Sequence, residues 1–190
     1  MAACNLPERK EMGMSSTNDK VRPDWEEYYM HIAMAVRARA NCLGNRVGAI
    51  LALDDRIIAT GYNGTPANMV NCTDGGCERC QNRHKYESGK DYDLCICVHA
   101  EQNALLSAAR FGIATEGAVL YCTMRPCFGC TKELLQAKIT AVYYLHEWVY
   151  PDPEMQQTYN RLQAQFPDRV IRVDIDDPEA EWAVSTLRFG

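Results

Sequence analysis

The 190-residue sequence contains no apolar run close to the ~20 residues that a membrane-spanning helix requires, and it has no excess of basic charge. Its 20 lysines and arginines are outnumbered by 25 aspartates and glutamates, which gives a formal net charge of −5. Proteins that bind the phosphates of DNA or RNA are usually basic, so we expect neither a nucleic-acid partner nor a membrane partner. A small nucleotide needs only a local pocket and is compatible with this charge.

The first residues also lack the apolar core of a secretory signal, and histidine is scarce, with four residues against ten cysteines. Without a secretion signal, reduced thiols or metal ligands are a better interpretation of these cysteines than a disulfide scaffold. We therefore expect a cytoplasmic protein. Residues 1–22 are polar and are predicted to be a disordered tail. Residues 23–190 are predicted to form a single domain.

Two short motifs supply the residues of a metal-dependent active site. They are His99-x-Glu101 and Pro126-Cys127-x-x-Cys130. One histidine and two cysteines leave a fourth zinc position open, as in catalytic rather than structural zinc sites. Glu101 is too close to His99 in sequence to join the same tetrahedron easily, so we interpret it as the group that moves protons. We predict one catalytic zinc ion per chain, bound by His99, Cys127 and Cys130.

Both motifs precede sequences that favour helices. Residues 100–109 form an apolar run, and Pro126 suits the first turn of a second helix because its missing N–H is not needed there. The partial positive charge at a helix N-terminus favours the thiolate, which is the form that binds zinc. The alternative is an ordinary redox or structural-zinc CxxC motif with an interior histidine. The joint pattern favours catalysis, because it is the known signature of zinc-dependent deaminases.

Hydrophobic periodicity predicts an α/β fold with five strands. Asp54-Asp55 between the first two strands predicts an antiparallel hairpin. Helices between the third, fourth and fifth strands predict parallel pairing there. The expected fold is a three-layer α/β/α sandwich with a mixed five-stranded sheet. The predicted strands are residues 47–53, 56–60, 118–122, 141–145 and 169–174, and the predicted helices are residues 23–40, 100–109, 126–137, 154–166 and 178–187.

Residues 67–97 form a long polar insertion that holds half of the cysteines. A loop of this length without regular structure is unusual unless it is functional or tied down. The spacing of its cysteines is typical of metal ligands and predicts a second, structural zinc ion; the alternative is a set of scattered buried thiols. Cys42 could also reach this site, and the spacing does not decide which four ligands bind. The candidates within the insertion are Cys72, Cys77, Cys80, Cys95 and Cys97.

Four motifs, which fall in order within residues 23–175, resemble those of the deoxycytidylate (dCMP) deaminases in the zinc-dependent cytidine deaminase superfamily. The motifs that begin at His99 and Pro126 identify only the superfamily. The motif that begins at Gly61 and the cysteine-rich insertion narrow the resemblance to dCMP deaminases. The motifs are Val47-Gly48-Ala49, Gly61-Tyr62-Asn63-Gly64, His99-Ala100-Glu101-x-Asn103-Ala104 and Pro126-Cys127-x-x-Cys130.

The resemblance implies a cytidine deaminase-like fold and hydrolysis of dCMP to dUMP and ammonia, which feeds thymidylate synthesis. It implies that His99, Cys127 and Cys130 bind zinc, that Glu101 shuttles protons and that Asn63 binds the nucleotide sugar. It further implies a homo-oligomer, with a hexamer suspected, and regulation by dCTP and dTTP. The loop residues expected to contact these effectors are Gly61, Tyr62 and Gly64.

Backbone groups beside the metal and two side chains are further candidates for substrate binding. Backbone groups near Ala100 and Cys127 lie beside the expected metal and can orient the exocyclic nitrogen of cytosine. Arg125 immediately precedes the second motif and is the candidate cation for the 5′-phosphate. Tyr150 is expected to cover the base or the sugar. Two alternatives remain: a deaminase of cytidine, guanine or tRNA adenosine, and a structural zinc-binding interaction module.

Overall fold

The fold was obtained as a computed structural model that describes residues 21–86 and 94–189. Most of the predicted N-terminal tail therefore lies outside the described residues. Five strands form one mixed sheet in the order β2-β1-β3-β4-β5. The β1–β2 and β1–β3 pairs are antiparallel, and the β3–β4 and β4–β5 pairs are parallel. The strands are β1 Gly48–Leu53, β2 Arg56–Tyr62, β3 Val119–Met124, β4 Ala141–His146 and β5 Arg169–Arg172.

Seven α-helices are present among the described residues, and the longer ones agree with the predicted helices to within a few residues. The insertion is more structured than predicted, because it also contains 3₁₀ turns at Cys72–Asp74 and Arg83–Lys85. The helices are α1 Trp25–Arg37, α2 Glu78–Gln81, α3 Ala100–Arg110, α4 Phe128–Gln136, α5 Pro153–Gln163, α6 Ala180–Ala183 and α7 Ser185–Phe189.

Two predicted helix boundaries are wrong. Pro126 lies outside α4, because Cys127 has extended backbone angles (φ −66°, ψ 175°) and is the N-cap residue of that helix. The predicted terminal helix over residues 178–187 is divided into α6 and α7, because Val184 adopts φ −92° and ψ 120° between them. The predicted hairpin is confirmed: Asp54 and Asp55 both have positive φ angles, as a two-residue turn that matches the strand twist requires.

The sheet separates two hydrophobic cores, which confirms the predicted α/β/α layering. Ala49 and Leu51 of β1 point to one face, where the core includes alanines of α3 and Leu134 of α4. Ile50 and Ala52 point to the other face and pack with α1 and the β3–β4 tyrosines. This alternation is what a strand buried on both faces produces. No helix among residues 21–86 and 94–189 is long and apolar enough to cross a membrane.

A buried ion pair fastens the C-terminal segment to α1. Arg37 is fully buried and donates two hydrogen bonds of 2.6 Å to the two carboxylate oxygens of Asp177. His146 Nε2 lies 2.6 Å from the same carboxylate. The Arg37 pair lowers the pKa of Asp177 to about 2, against the opposing effect of burial, which by itself raises that pKa. The segment after β5 is thereby tied to both the first helix and the end of β4.

The parallel half of the sheet determines where a site can form. The carboxyl ends of β3 and β4 lie side by side, and the loops that follow them begin at Arg125 and Glu147. Loops at the carboxyl ends of adjacent parallel strands are the usual place for ligand sites in α/β folds. The second sequence motif therefore lies at this edge of the sheet.

Candidate metal centre and active site

The N-terminus of α3 presents the first motif. His99 is the N-cap residue, and its backbone N–H donates a 3.0 Å hydrogen bond to Oε1 of Gln102. The preceding residue, Val98, pairs with Gly64 through hydrogen bonds of 2.9 and 3.2 Å. Glu101 follows in the first helical turn and is 4% exposed. The backbone of His99 is thus held by Gln102 after it and by the Val98–Gly64 pairing before it, and the carboxylate of Glu101 is buried.

The N-terminus of α4 presents the second motif. Cys127 caps the helix and Cys130 lies in its first turn. The hydroxyl of Tyr159 in α5 donates a 2.6 Å hydrogen bond to the carbonyl oxygen of Pro126. Thr131 Oγ1 donates to the Cys127 carbonyl oxygen at 2.9 Å. Both predicted ligand sets therefore lie at helix N-termini.

The three predicted ligands meet in space, although Cys127 follows His99 by 28 positions in the sequence. His99 Nδ1 lies 3.5 Å from Cys127 Sγ and 3.3 Å from Cys130 Sγ. In a tetrahedral zinc site, normal Zn–N and Zn–S bond lengths place a nitrogen and a sulfur ligand about 3.6 Å apart. The group fits a zinc ion with His99 Nδ1 as a ligand, and it leaves a fourth position open. The assignment of individual ligand roles stays a prediction.

The electrostatics of the site suit proton transfer next to a thiolate. Burial raises the pKa of Glu101 to about 7, so the carboxyl group can take up and release a proton near neutral pH. The hydrogen bond with Cys130 and the neighbouring His99 lower the pKa of Cys127 to about 4. The shared hydrogen bond and burial raise the pKa of Cys130. These surroundings favour the thiolate form of Cys127, which is the form that binds zinc.

A cavity of about 400 Å³ opens over the three ligands. Phe128, Trp148 and Tyr150 line it, together with the cysteines that precede His99. This volume lies within the ~300–1,000 Å³ range of small-molecule sites. Trp148 and Tyr150 meet edge to face, with their ring centroids 5.7 Å apart at 84°. Tyr150 thus lines the cavity that also contains the three ligands. Its predicted role of covering a bound base stays a prediction.

Asn63 and Arg125 border a second, narrower cavity that reaches Glu101. The Asn63 side chain is buried and satisfied: its Oδ1 accepts from the Val47 N–H at 2.8 Å, and its Nδ2 donates to the Asn45 carbonyl oxygen at 2.7 Å. These bonds join the residue that follows β2 to the segment that precedes β1. Contact between Asn63 and a sugar stays a prediction.

The guanidinium of Arg125 is also engaged. Its Nη1 lies 2.6 Å from Oε1 of Glu147, and its Nε donates to Oε1 of Gln163 at 3.2 Å. The same group stacks over Tyr159, with 4.9 Å to the ring centroid. A substrate phosphate would compete with Glu147 for this cation, so the predicted phosphate contact also stays untested.

The remaining predicted positions surround α3. Ala100 is fully buried, and its carbonyl oxygen faces Gly61, where a methyl group would come within 2.1 Å of it. The Tyr62 carbonyl oxygen accepts a 2.7 Å hydrogen bond from Asn103 Nδ2. Gly64 carries the bridge to Val98. These contacts explain how the loop of Gly61, Tyr62 and Gly64 packs against α3. The predicted effector role of the loop stays a prediction.

The five candidate cysteines of the insertion come together, and Cys42 joins them. All six are free thiols, and they form two overlapping groups of four with metal-ligand spacing. The sequence therefore identified the cluster but could not assign its ligands.

Sequence reasoning missed two contributors to the site. Trp148 lines both cavities, and Gln102 caps the backbone N–H of His99. The position of Trp148 two residues before Tyr150, at the carboxyl end of a parallel strand, was a signal that could have identified it. Gln102 is the third helical residue after His99, which is the usual place for a capping glutamine.

Comparison with known proteins gives a consistent result. The family model for the cytidine and deoxycytidylate deaminase zinc-binding region matches residues 23–146. The chain is 44% identical to the deoxycytidylate deaminase of Schizosaccharomyces pombe over 126 residues, which are 66% of this chain and 38% of that protein. It is 39% identical to the deoxycytidylate deaminase of a Mycobacterium phage over 134 residues, which are 66% of this chain and 98% of that protein. The chain thus spans less than two fifths of the fungal relative.

The dCMP deaminase of the cyanophage S-TIM5, solved in complex with dCMP and dUMP, has a similar fold. The TM-score is 0.60 at 29% identity, over 81% of this chain and 100% of the cyanophage chain. The mixed sheet with its flanking helices is therefore the cytidine deaminase-like fold. With the matched region covering both ligand motifs, the chain belongs to the family of cytidine and deoxycytidylate deaminases.

Proposed function

We propose that this chain catalyses the zinc-dependent hydrolytic deamination of dCMP to dUMP and ammonia, which supplies dUMP for thymidylate synthesis. The observation that carries the proposal is the meeting of His99, Cys127 and Cys130 at zinc-ligand spacing, with the buried carboxylate of Glu101 in the same helical turn as the histidine ligand. A structural zinc site has no need of that carboxylate. The dCMP and dUMP bound by the cyanophage relative support the choice of substrate.

The residues of the site have distinct tasks in this reaction. His99, Cys127 and Cys130 would hold the zinc ion, which would supply Lewis-acid activation of a water molecule at neutral pH. The carboxylate of Glu101 accepts the water proton and delivers a proton to N3 of cytosine as the oxygen adds to C4. Glu101 then takes the second water proton from the hydroxyl group on C4 and delivers it to the amino group as the C4–N bond breaks, which leaves the C4 carbonyl and releases ammonia. Burial, which raises the pKa of Glu101, favours the uptake of a proton by this carboxylate during the cycle.

Substrate binding divides between the two cavities. Trp148 and Tyr150 provide the aromatic wall against which a base or sugar packs. Backbone groups near Ala100 and Cys127 orient the exocyclic nitrogen, and Asn63 lies where the sugar is expected. Arg125 provides the cation for the 5′-phosphate, in exchange for its contact with Glu147.

The wider biology of the chain is part of the same proposal. We expect a homo-oligomer, with a hexamer as the leading candidate, acting on a cytoplasmic nucleotide pool and regulated by dCTP and dTTP through the loop of Gly61, Tyr62 and Gly64. Analytical ultracentrifugation with and without dCTP measures the assembly. Rate measurements against dCMP with each effector measure the regulation.

The test of the activity is a substrate panel. Purified, zinc-replete protein is assayed for ammonia release from dCMP, deoxycytidine, CMP, cytidine, guanine and adenosine, with and without dCTP. The expected result is rapid release from dCMP, with the phosphate-free nucleosides far behind. Ammonia release from guanine or adenosine in preference to dCMP would overturn the proposal, and so would the absence of release from every compound by a protein that contains its metal.

A further inference from the structure

Six cysteines from separate parts of the chain form one cluster beside the active site. One follows α1, one lies in the first 3₁₀ turn of the insertion, two are on or next to α2, and two precede α3. Five of the six are buried. The cluster consists of Cys42, Cys72, Cys77, Cys80, Cys95 and Cys97.

The sulfur–sulfur distances in the cluster match zinc–thiolate geometry. Cys42 Sγ lies 3.9 Å from Cys80 Sγ, and Cys95 Sγ lies 3.8 Å from Cys77 Sγ and 3.6 Å from Cys80 Sγ. A disulfide requires about 2.05 Å between its sulfurs. Four thiolates around one zinc ion, at a Zn–S bond length of about 2.3 Å, lie about 3.8 Å apart. These distances are compatible with coordination of zinc by the clustered thiolates.

The six sulfurs divide into two groups of four that share two members. One group is Cys42, Cys72, Cys80 and Cys97, and the other is Cys77, Cys80, Cys95 and Cys97. Within each group, all sulfurs lie within 4.8 Å of one another. Two tetrahedra that share Cys80 and Cys97 therefore account for all six cysteines.

We propose that this cluster binds two zinc ions as a binuclear Zn₂Cys₆ centre, with the thiolates of Cys80 and Cys97 bridging the metals. Cys42 and Cys72 complete the coordination of one ion, and Cys77 and Cys95 complete that of the other. A single zinc ion would leave two of the six thiols crowded against the bound metal without a role.

The surroundings of the cluster are suited to its negative charge. Six thiolates and two Zn²⁺ ions carry a net charge of −2. The backbone N–H groups of Leu43 and Gly44 donate to the sulfurs of Cys72 and Cys42 at 3.4 and 3.3 Å. The guanidinium groups of Arg83 and Arg188 both donate to the Leu43 carbonyl oxygen, at 3.0 and 3.3 Å, which places two cations at this end of the cluster.

The position of the cluster connects it to the catalytic site. Cys97 is two residues before His99, and both Cys95 and Cys97 line the 400 Å³ cavity. The intervening Val98 is fixed to Gly64 by its backbone. Because the described residues of the insertion form only short helical turns, metal binding contributes directly to the folding free energy of this segment. The binuclear centre thus anchors the segment that presents the catalytic histidine.

Metal counting distinguishes the binuclear centre from a single structural zinc. Wild-type protein, purified under reducing conditions with zinc and without chelator, is measured by plasma mass spectrometry for zinc, iron and copper. The binuclear centre and the catalytic site together predict three zinc ions per chain. His99→Ala should retain two, which separates failure of the catalytic site from failure of the cluster. Cys122→Ala, a buried cysteine outside both metal groups, should retain three.

Variants of the non-bridging ligands test the sharing of sulfurs. Cys42→Ala and Cys77→Ala should each reduce the count from three to two, because each removes a ligand from one ion only. If the cluster holds one ion, wild-type protein contains two zinc ions, and at least one of these variants retains both. That result overturns the proposal, as does iron or copper in stoichiometric amount.

Cadmium substitution covers the case in which a variant fails to fold. Wild-type protein loaded with ¹¹³Cd should give three ¹¹³Cd resonances, two of which show scalar coupling to each other through the bridging thiolates. The resonance that is lost in His99→Ala belongs to the catalytic site. A wild-type spectrum with only two resonances, which show no coupling to each other, would overturn the proposal.

Discussion

Gly61→Ala is expected to damage catalysis by displacing the helix that carries the catalytic residues. A methyl group at Gly61 would lie 2.1 Å from the carbonyl oxygen of Ala100 and 2.4 Å from the backbone nitrogen of Ala104. Ordinary contact begins at 3.4 Å, so the N-terminus of α3 must retreat by 3.4 − 2.1 = 1.3 Å relative to β2. A displacement of ~1 Å in a catalytic site can reduce the rate about 100-fold. We therefore expect a loss of about 100-fold in kcat/KM for dCMP.

Gly48→Ala is the matched control for this substitution. Its methyl group would lie 2.1 Å from the Ala33 carbonyl oxygen and 2.5 Å from the Arg37 backbone nitrogen, both in α1 on the opposite face of the sheet. Overpacking of this kind costs about 1–3 kcal/mol of stability wherever it occurs. The two variants should therefore lose similar stability, whereas only Gly61→Ala displaces the ligands.

The assay combines three measurements on each variant: the unfolding free energy from urea titration, the zinc content, and kcat/KM corrected for the folded fraction. The prediction is comparable stability for the two variants, with kcat/KM at least tenfold lower for Gly61→Ala than for Gly48→Ala. Equal losses of kcat/KM in the two folded proteins would refute the claim that the contact between β2 and α3 positions the site.

Asp177→Asn should cost about 3–5 kcal/mol, because it leaves the charge of Arg37 buried without its carboxylate partner. In wild-type protein, the lowered pKa of Asp177 contributes about 2 kcal/mol of stability. This contribution is fully present above the unfolded pKa of 3.8 and is lost as the pH falls towards about 2; acid titration of the unfolding free energy measures it. Arg125→Ala should reduce the preference in kcat/KM for dCMP over deoxycytidine by about ten- to a hundredfold, chiefly by lowering kcat/KM for dCMP. An equal reduction for both substrates would show that the residue serves packing alone. Tyr159→Phe should cost about 1 kcal/mol by removing the hydrogen bond to the Pro126 carbonyl oxygen, with zinc content unchanged, and loss of zinc would show that this bond also positions the ligands.

Local sequence signals predicted most of the fold because they act over a few residues. The Asp54-Asp55 turn fixed the antiparallel hairpin, and the lengths of the crossovers after β3 and β4 fixed parallel pairing. The metal ligands were identifiable for a similar reason: a histidine and a CxxC pair each precede a helix, and the geometry of helix N-termini is reproducible.

The contacts that sequence could not supply join distant parts of the chain. Arg37 pairs with Asp177 across 140 residues, and neither residue differs in sequence context from an exposed charge. Cys42 was a candidate for the cluster, but its sequence position could not establish the contact, which the structure shows as a distance of 3.9 Å between Cys42 Sγ and Cys80 Sγ. The misplaced start of α4 also involves a long-range contact: Pro126 is compatible with a first helical turn, but its carbonyl oxygen accepts a hydrogen bond from Tyr159 of α5.

The most direct test of the account is turnover by Glu101→Gln at constant zinc content. The glutamine has nearly the same shape, so the ligands His99, Cys127 and Cys130 should keep their metal, and plasma mass spectrometry should give the wild-type count. Conversion of dCMP to dUMP should fall by at least ~10²–10⁴-fold, because the amide cannot carry protons between water, N3 and the leaving amine. Near-normal conversion by a Glu101→Gln protein with full zinc content would contradict the proposed mechanism.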